Sequence, residues 1–138
     1  MRTRLLLSVG VMTLCATTAA VAHHAFAAEF DATKPVRFRG TVTKMLWVNP
    51  HAWIYMDVKK DDGTVEAWTI EAGAPNTLLR RGFTKESLQP GAEIIVDGYQ
   101  AKDGERRANG RDVTLPNGKT LFLGSAGTGA PDDKSDKK

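Results

Sequence analysis

The chain has 138 residues, with 19 Lys or Arg against 16 Asp or Glu and a formal charge of +3. This length is enough for one modest hydrophobic core. Arg2 and Arg4 lie in an amino-terminal leader; without them the 19 basic residues against 16 acidic ones leave a balance of +1, which carries no electrostatic footprint for nucleic acid or anionic lipid.

The leader is read from its order of features. Arg2 and Arg4 form a positive start, Leu5 to Leu14 an apolar run too short to cross a bilayer, and Ala20-Val21-Ala22 a small-residue cleavage signal. Residues 1–22 are therefore expected to be a signal peptide, cleaved on export to the periplasm. No later stretch reaches the roughly 20 apolar residues of a membrane span, so no membrane insertion is expected after cleavage. Cleavage after Ala20 or after Ala27 are the alternatives. The single cysteine, Cys15, lies in the apolar run behind Leu14, where a lipid-anchor signal requires a small residue. Past the leader the chain has no thiol for a disulfide, a nucleophile or a metal.

From Glu29 to Lys34 the sequence is polar, and Pro35 precedes a first strand over Val36 to Val48. Alternation puts Val36, Phe38, Val42, Leu46 and Val48 on one face and Arg37, Arg39, Thr41, Thr43 and Trp47 on the other. Gly40 in mid-strand predicts a bend, as where a strand wraps a barrel. Asn49-Pro50 breaks the run. His51 to Lys59 alternates again, with Ala52, Ile54, Met56 and Val58 opposed to His51, Trp53, Tyr55 and Asp57. Asp61-Asp62-Gly63 is a hairpin turn into Thr64 to Glu71.

A short helix is predicted over Pro75 to Arg81, started by Ala74 or Pro75 and stopped by Gly82. A turn at Thr84 to Leu88 leads through Gln89-Pro90-Gly91 to a strand over Ala92 to Ala101. Another strand spans Ala108 to Leu115, and Asn117-Gly118 reverses it into Lys119 to Leu123. Residues 124–138 are rich in Gly, Ala, Asp and Lys and are expected to form a disordered tail, leaving residues 23–123 as one domain with an amino-terminal extension. Three strands, a short helix and two or three more strands predict a small all-β fold: an OB-like antiparallel Greek-key barrel of five to six strands, with the helix between strands three and four plugging one end.

Several segments carry a family resemblance: His23-His24-Ala25-Phe26, Trp47-Val48-Asn49-Pro50-His51-Ala52-Trp53-Ile54-Tyr55, Pro75 to Gly82, Gly98 to Gly104 and Arg111 to Pro116. Together they resemble a group of short exported bacterial proteins catalogued only as a domain of unknown function. The resemblance implies export and an OB-like barrel and supplies no activity.

All three histidines fall in two of these segments. After cleavage behind Ala22, His23 offers a free amine and ring Nδ1 as a chelate, and His51 supplies a second imidazole, whereas His24 is tethered too close to His23 to sit opposite it. Such nitrogen ligands in tetragonal geometry suit copper(II), which leads the divalent affinity order. Cleavage after Ala20 gives a different copper(II) or nickel(II) chelate with His23 in third place, and cleavage after Ala27 removes both histidines. The bland alternative is a polar leader remnant with His51 bonded to a neighbouring carbonyl.

A second constellation is aromatic. Trp47, Trp53 and Tyr55 fall on the polar face with His51, and Trp68 is placed nearby, making a ligand or partner-protein face of the kind OB barrels present. Against it stands coverage of these rings by barrel closure or by Phe26 and Phe30 packing as a cap. No hydrolase, metalloprotease or phosphate-loop motif occurs, so no enzyme is expected. Glu66 and Glu71 fall on opposite faces, and Arg80-Arg81 and Arg106-Arg107 are expected to be solvated. The leading expectation is a periplasmic copper(II) binder or carrier, and the alternative is a metal-free interaction module.

Overall fold

The computed structural model describes residues 25–124 together with residues 130 and 131. The expected leader, His23, His24 and nearly all of the expected tail lie outside the described residues. Six strands and one short helix follow in order: β1 (Phe30–Leu46), β2 (Trp53–Lys59), β3 (Val65–Glu71), α1 (Pro75–Arg80), β4 (Glu93–Ala101), β5 (Arg107–Thr114) and β6 (Thr120–Phe122). A helical turn over residues 25–29 precedes β1. The sheet order is β3-β2-β1-β4-β5-β6, and β3 also pairs with β5. That extra pairing is parallel, Thr69 to Arg107 through Glu71 to Asn109, and it closes β1, β2, β3, β5 and β4 into a ring. The fold is the expected small all-β barrel, with the helix between the third and fourth strands.

β1 is the bent strand on which closure depends. Its first part pairs with β4 and its second with β2; Thr41 is shared, opposite both Glu93 and Asp57. Gly40 sits at this crossover. A Cβ there would lie 2.5 Å from the Asp57 carbonyl oxygen and 2.6 Å from Met56 Cε, so only glycine lets β2 approach.

The strand begins at Phe30, earlier than Val36, because Phe30 pairs with Ala101 and Pro35 with Tyr99. A polar segment on a sheet edge needs no apolar pattern to be a strand. A second difference concerns Trp47. The register shifts between Val42 and Lys44, so the bulge at Thr43 reverses the alternation beyond it. Met45 and Trp47 thereby turn to the core, and Trp47 stacks on Phe83 with ring centroids 6.3 Å apart.

The core holds the inward residues of every barrel strand, among them Val42, Ile54, Met56, Ile70, Ile94, Val96 and Val113. Each such side chain contributes about 1.5–3 kcal/mol through burial. Leu78 of α1 and Phe83 after it are fully buried and plug one end. Gly82, at φ 80°, ends the helix in the left-handed conformation. Trp68 also belongs to this core, 7% exposed with its ring 4.1 Å from Phe38, and donates from Nε1 to Glu66. Among the described residues no helix is long and apolar enough to cross a membrane.

Candidate functional site

On the outer side of β2, β3 and β5 the helical turn 25–29 folds across the barrel wall and encloses a cleft of about 400 Å³. Ala25, Phe26, Glu29 and Phe30 form one side, and His51, Trp53, Glu71, Arg107 and Asn109 the other. Phe26 and Phe30 are buried against Tyr99 and Ala101 in a second apolar cluster, with Phe26 edge-on to Tyr99 at 5.5 Å. The turn is tied down at several points. Lys102 donates from its backbone N–H to the Glu29 carbonyl (2.9 Å) and from Nζ to the Ala27 carbonyl, and Arg107 Nη1 bonds Glu29 at 2.8 Å.

Period-2 alternation positions the barrel side of the cleft. His51 precedes β2 and Trp53 begins it, both facing outward, while Ala52 and Ile54 are buried. Trp53 lies opposite Glu71 in the β2–β3 register, and Glu71 lies beside Asn109 in the β3–β5 register. His51 Nδ1 stands 3.0 Å from Glu71 Oε1. The Glu71 side chain is only 10% exposed, against 33% for His51.

Burial pushes the Glu71 carboxyl above the ordinary glutamate range; His51 opposes that rise, Glu29 adds to it and Arg107 opposes it. Burial works against the Arg107 guanidinium, but its bonds to Glu29 and Asp103 prevail and hold it above its ordinary value. The guanidinium also lies 5.4 Å from the Phe30 ring centroid, and its Nε is buried with no hydrogen-bond partner.

The four aromatics expected on one face therefore separate. Trp53 lines the cleft; Tyr55 lies further along β2, with Lys44 Nζ 5.6 Å from its ring centroid. Trp47 and Trp68 pack in the core, the first because of the bulge and the second because it shares a face with Ile70. Phe26 and Phe30 do act as a cap, but they cover Tyr99 and Ala101 and wall the cleft. Arg107 is not a solvated arginine, because β3–β5 closure carries it to the cleft. Arg81 also departs from expectation, stacking on Phe122 at 4.3 Å and bonding the Gly124 carbonyl at 2.5 Å.

From the sequence Glu71 falls on the face opposite Glu66 and receives no site role, although the Asp62 hairpin carried the signal. Counting outward from that turn sets Glu71 against Trp53 and next to the outward residue His51. Arg107 and Asn109 had no such local signal. Among the described residues, no group of three or more His, Cys, Asp or Glu side chains is arranged to hold a metal ion. His23 and His24 lie outside the described residues, two and one positions before Ala25 in the cleft wall.

Comparison with solved structures finds similarity to the crystal structure of the ZRD-deleted mutant of TiaS in complex with agmatine, at 20% identity and a TM-score of 0.45, covering 65% of this chain and 22% of that one. A complex of TiaS with its tRNA, AMPCPP and agmatine is similar at 20% identity and a TM-score of 0.43, covering 59% of this chain and 18% of that one. The chain thus spans about a fifth of the length of these neighbours. No curated protein matches it. A protein-family model matches residues 11–110, most of the chain, and the protein belongs to the Family of unknown function (DUF6152).

Proposed function

We propose that this protein is exported, processed after Ala22, and binds or carries copper(II) in the periplasm through the new amino terminus and His51. The single observation behind this reading is that Ala25 and His51 line the same cleft. One residue spans at most about 3.6 Å, so the two steps from Ala25 back to His23 reach about 7 Å, within the scale of the cleft. The amine and ring of His23 then form a chelate, and the His51 imidazole supplies the third nitrogen. This donor set suits copper(II) by ligand type and by affinity order. His24, adjacent in sequence to His23, is spare.

The test is copper(II) titration of processed protein beside a form carrying one extra alanine before His23. The extension leaves fold and charge unchanged and destroys the chelate, so affinity falls sharply; equal affinities would reject the amino-terminal site. His51→Ala weakens binding, whereas His24→Ala has a smaller effect. The aromatic walls favour a second reading, in which Phe26, Phe30 and Trp53 clasp a small apolar ligand without metal. That reading prevails if both forms bind copper no better than a short His-His peptide.

A further inference from the structure

We infer that Glu71 is a positioning residue for His51, fixing the imidazole with its proton on Nδ1 and leaving Nε2 as the nitrogen that meets a metal or ligand in the cleft. The inference rests on the copper reading only for its consequence in affinity; the tautomer belongs to the metal-free protein.

The argument begins with the acceptor. Glu71 Oε1 is 3.0 Å from His51 Nδ1, and no other hydrogen bond or ion pair competes for that carboxylate among the described residues. When ionised, the carboxylate has only acceptor oxygens, and a neutral imidazole has one N–H to give. Donating it from Nδ1 satisfies a nearly buried acceptor, whose desolvation would otherwise cost about 1–3 kcal/mol. The opposite tautomer would turn a ring lone pair toward the carboxylate and leave the acceptor unpaired. Charge points the same way: Glu29 and Arg107 are the other charged groups lining the cleft, and they are bonded to each other at 2.8 Å. Arg107 acts on Glu71 only at longer range, with no direct ion pair between them, and the Glu71 carboxylate is available to the ring.

This is the carboxylate–histidine arrangement that orients metal-binding imidazoles. Its position is set by the barrel rather than by a loop. Glu71 ends β3, held by Trp53 on one side and Asn109 on the other through backbone pairing.

The experiment uses ¹⁵N-histidine-labelled, processed, metal-free protein and reads the His51 tautomer from long-range nitrogen–proton couplings, followed by copper(II) titration. Wild-type protein shows Nδ1–H. Glu71→Leu removes the acceptor and moves the proton toward Nε2, with copper affinity falling by about 10–100-fold. Glu71→Gln keeps an acceptor oxygen and retains the tautomer with a smaller loss. Wild-type protein with its proton on Nε2, or an unchanged tautomer in Glu71→Leu, overturns the inference. If Glu71→Leu does not fold, the wild-type and Glu71→Gln spectra still decide it. Absence of copper binding with the Nδ1–H tautomer intact would reject the copper reading and leave the role of Glu71 standing.

Discussion

Gly98→Ala isolates how closely the barrel strands are packed behind the cleft. Gly98 lies at the register shift of β4, opposite Gly110 of β5. A Cβ there would come within 2.2 Å of the Asn109 carbonyl oxygen, 3.0 Å of its carbon and 3.2 Å of Gly110 Cα. All three are backbone atoms of a paired strand, so no rotamer change relieves the clash, and β5 must move by about 1 Å to restore ordinary contact distances. Overpacking of this kind costs about 1–3 kcal/mol, at the upper end when backbone has to shift. The reduced freedom of the unfolded chain returns about 0.4–1 kcal/mol. The expected net loss is about 2 kcal/mol, or roughly 10 °C in Tm for a domain of this size. Urea unfolding followed by tryptophan fluorescence measures it. Gly124→Ala is the internal comparison, because its nearest neighbour, at 2.7 Å, is the Phe122 ring, a side chain that can turn aside. A Gly98→Ala variant within about 0.5 kcal/mol of the parent would refute the argument.

Arg107→Ala removes the bonds to Glu29 (2.8 Å) and Asp103 (3.2 Å) and uncovers Phe30. It is expected to cost about 1 kcal/mol after solvent screening and to speed amide hydrogen exchange over residues 25–30, with core strands unchanged; unaltered exchange in that segment would contradict a role for Arg107 in holding the turn. Glu66 is held below its ordinary value of 4.5, first by the Trp68 Nε1 donor and then by Lys60 and Arg106. Because the folded value is the lower one, its contribution to stability is fully present above 4.5 and lost as pH falls through the folded value. A carboxyl NMR titration should find the Glu66 midpoint below 4.5, and Trp68→Phe should move it upward.

The sequence carried the barrel through features that act locally. Alternation over His51 to Lys59, the Asp62 and Asn117-Gly118 turns, Gly40 at the bend and Pro75 opening a short helix each specify their own few residues, and each element formed where these signals lie. The aromatic face failed for an equally local reason. A single bulge at Thr43 reverses the alternation and turns Trp47 inward, and no residue type announces a bulge between inward Val42 and exposed Lys44. The cleft was half legible. His51 and Trp53 follow from period two, but Arg107 and Asn109 arrive through the parallel β3–β5 contact, a pairing between segments 38 positions apart in the register. No window of sequence contains both sides of it.

That parallel seam also determines how binding and folding are coupled. Glu71 and Asn109 are register partners across it, so the floor of the cleft does not exist until the ring of strands has closed. A hairpin of β2 and β3 alone has His51 and Glu71 but lacks Arg107, Asn109 and the turn anchored by Lys102. Any ligand that uses the whole cleft therefore recognises only the closed barrel and draws the entire folding equilibrium toward it, by about 2.7 kcal/mol at a hundred times its dissociation constant. Occupancy is thereby registered as resistance to global unfolding and to the proteases that attack opened chains, a form of protection delivered to every strand from one side of the wall.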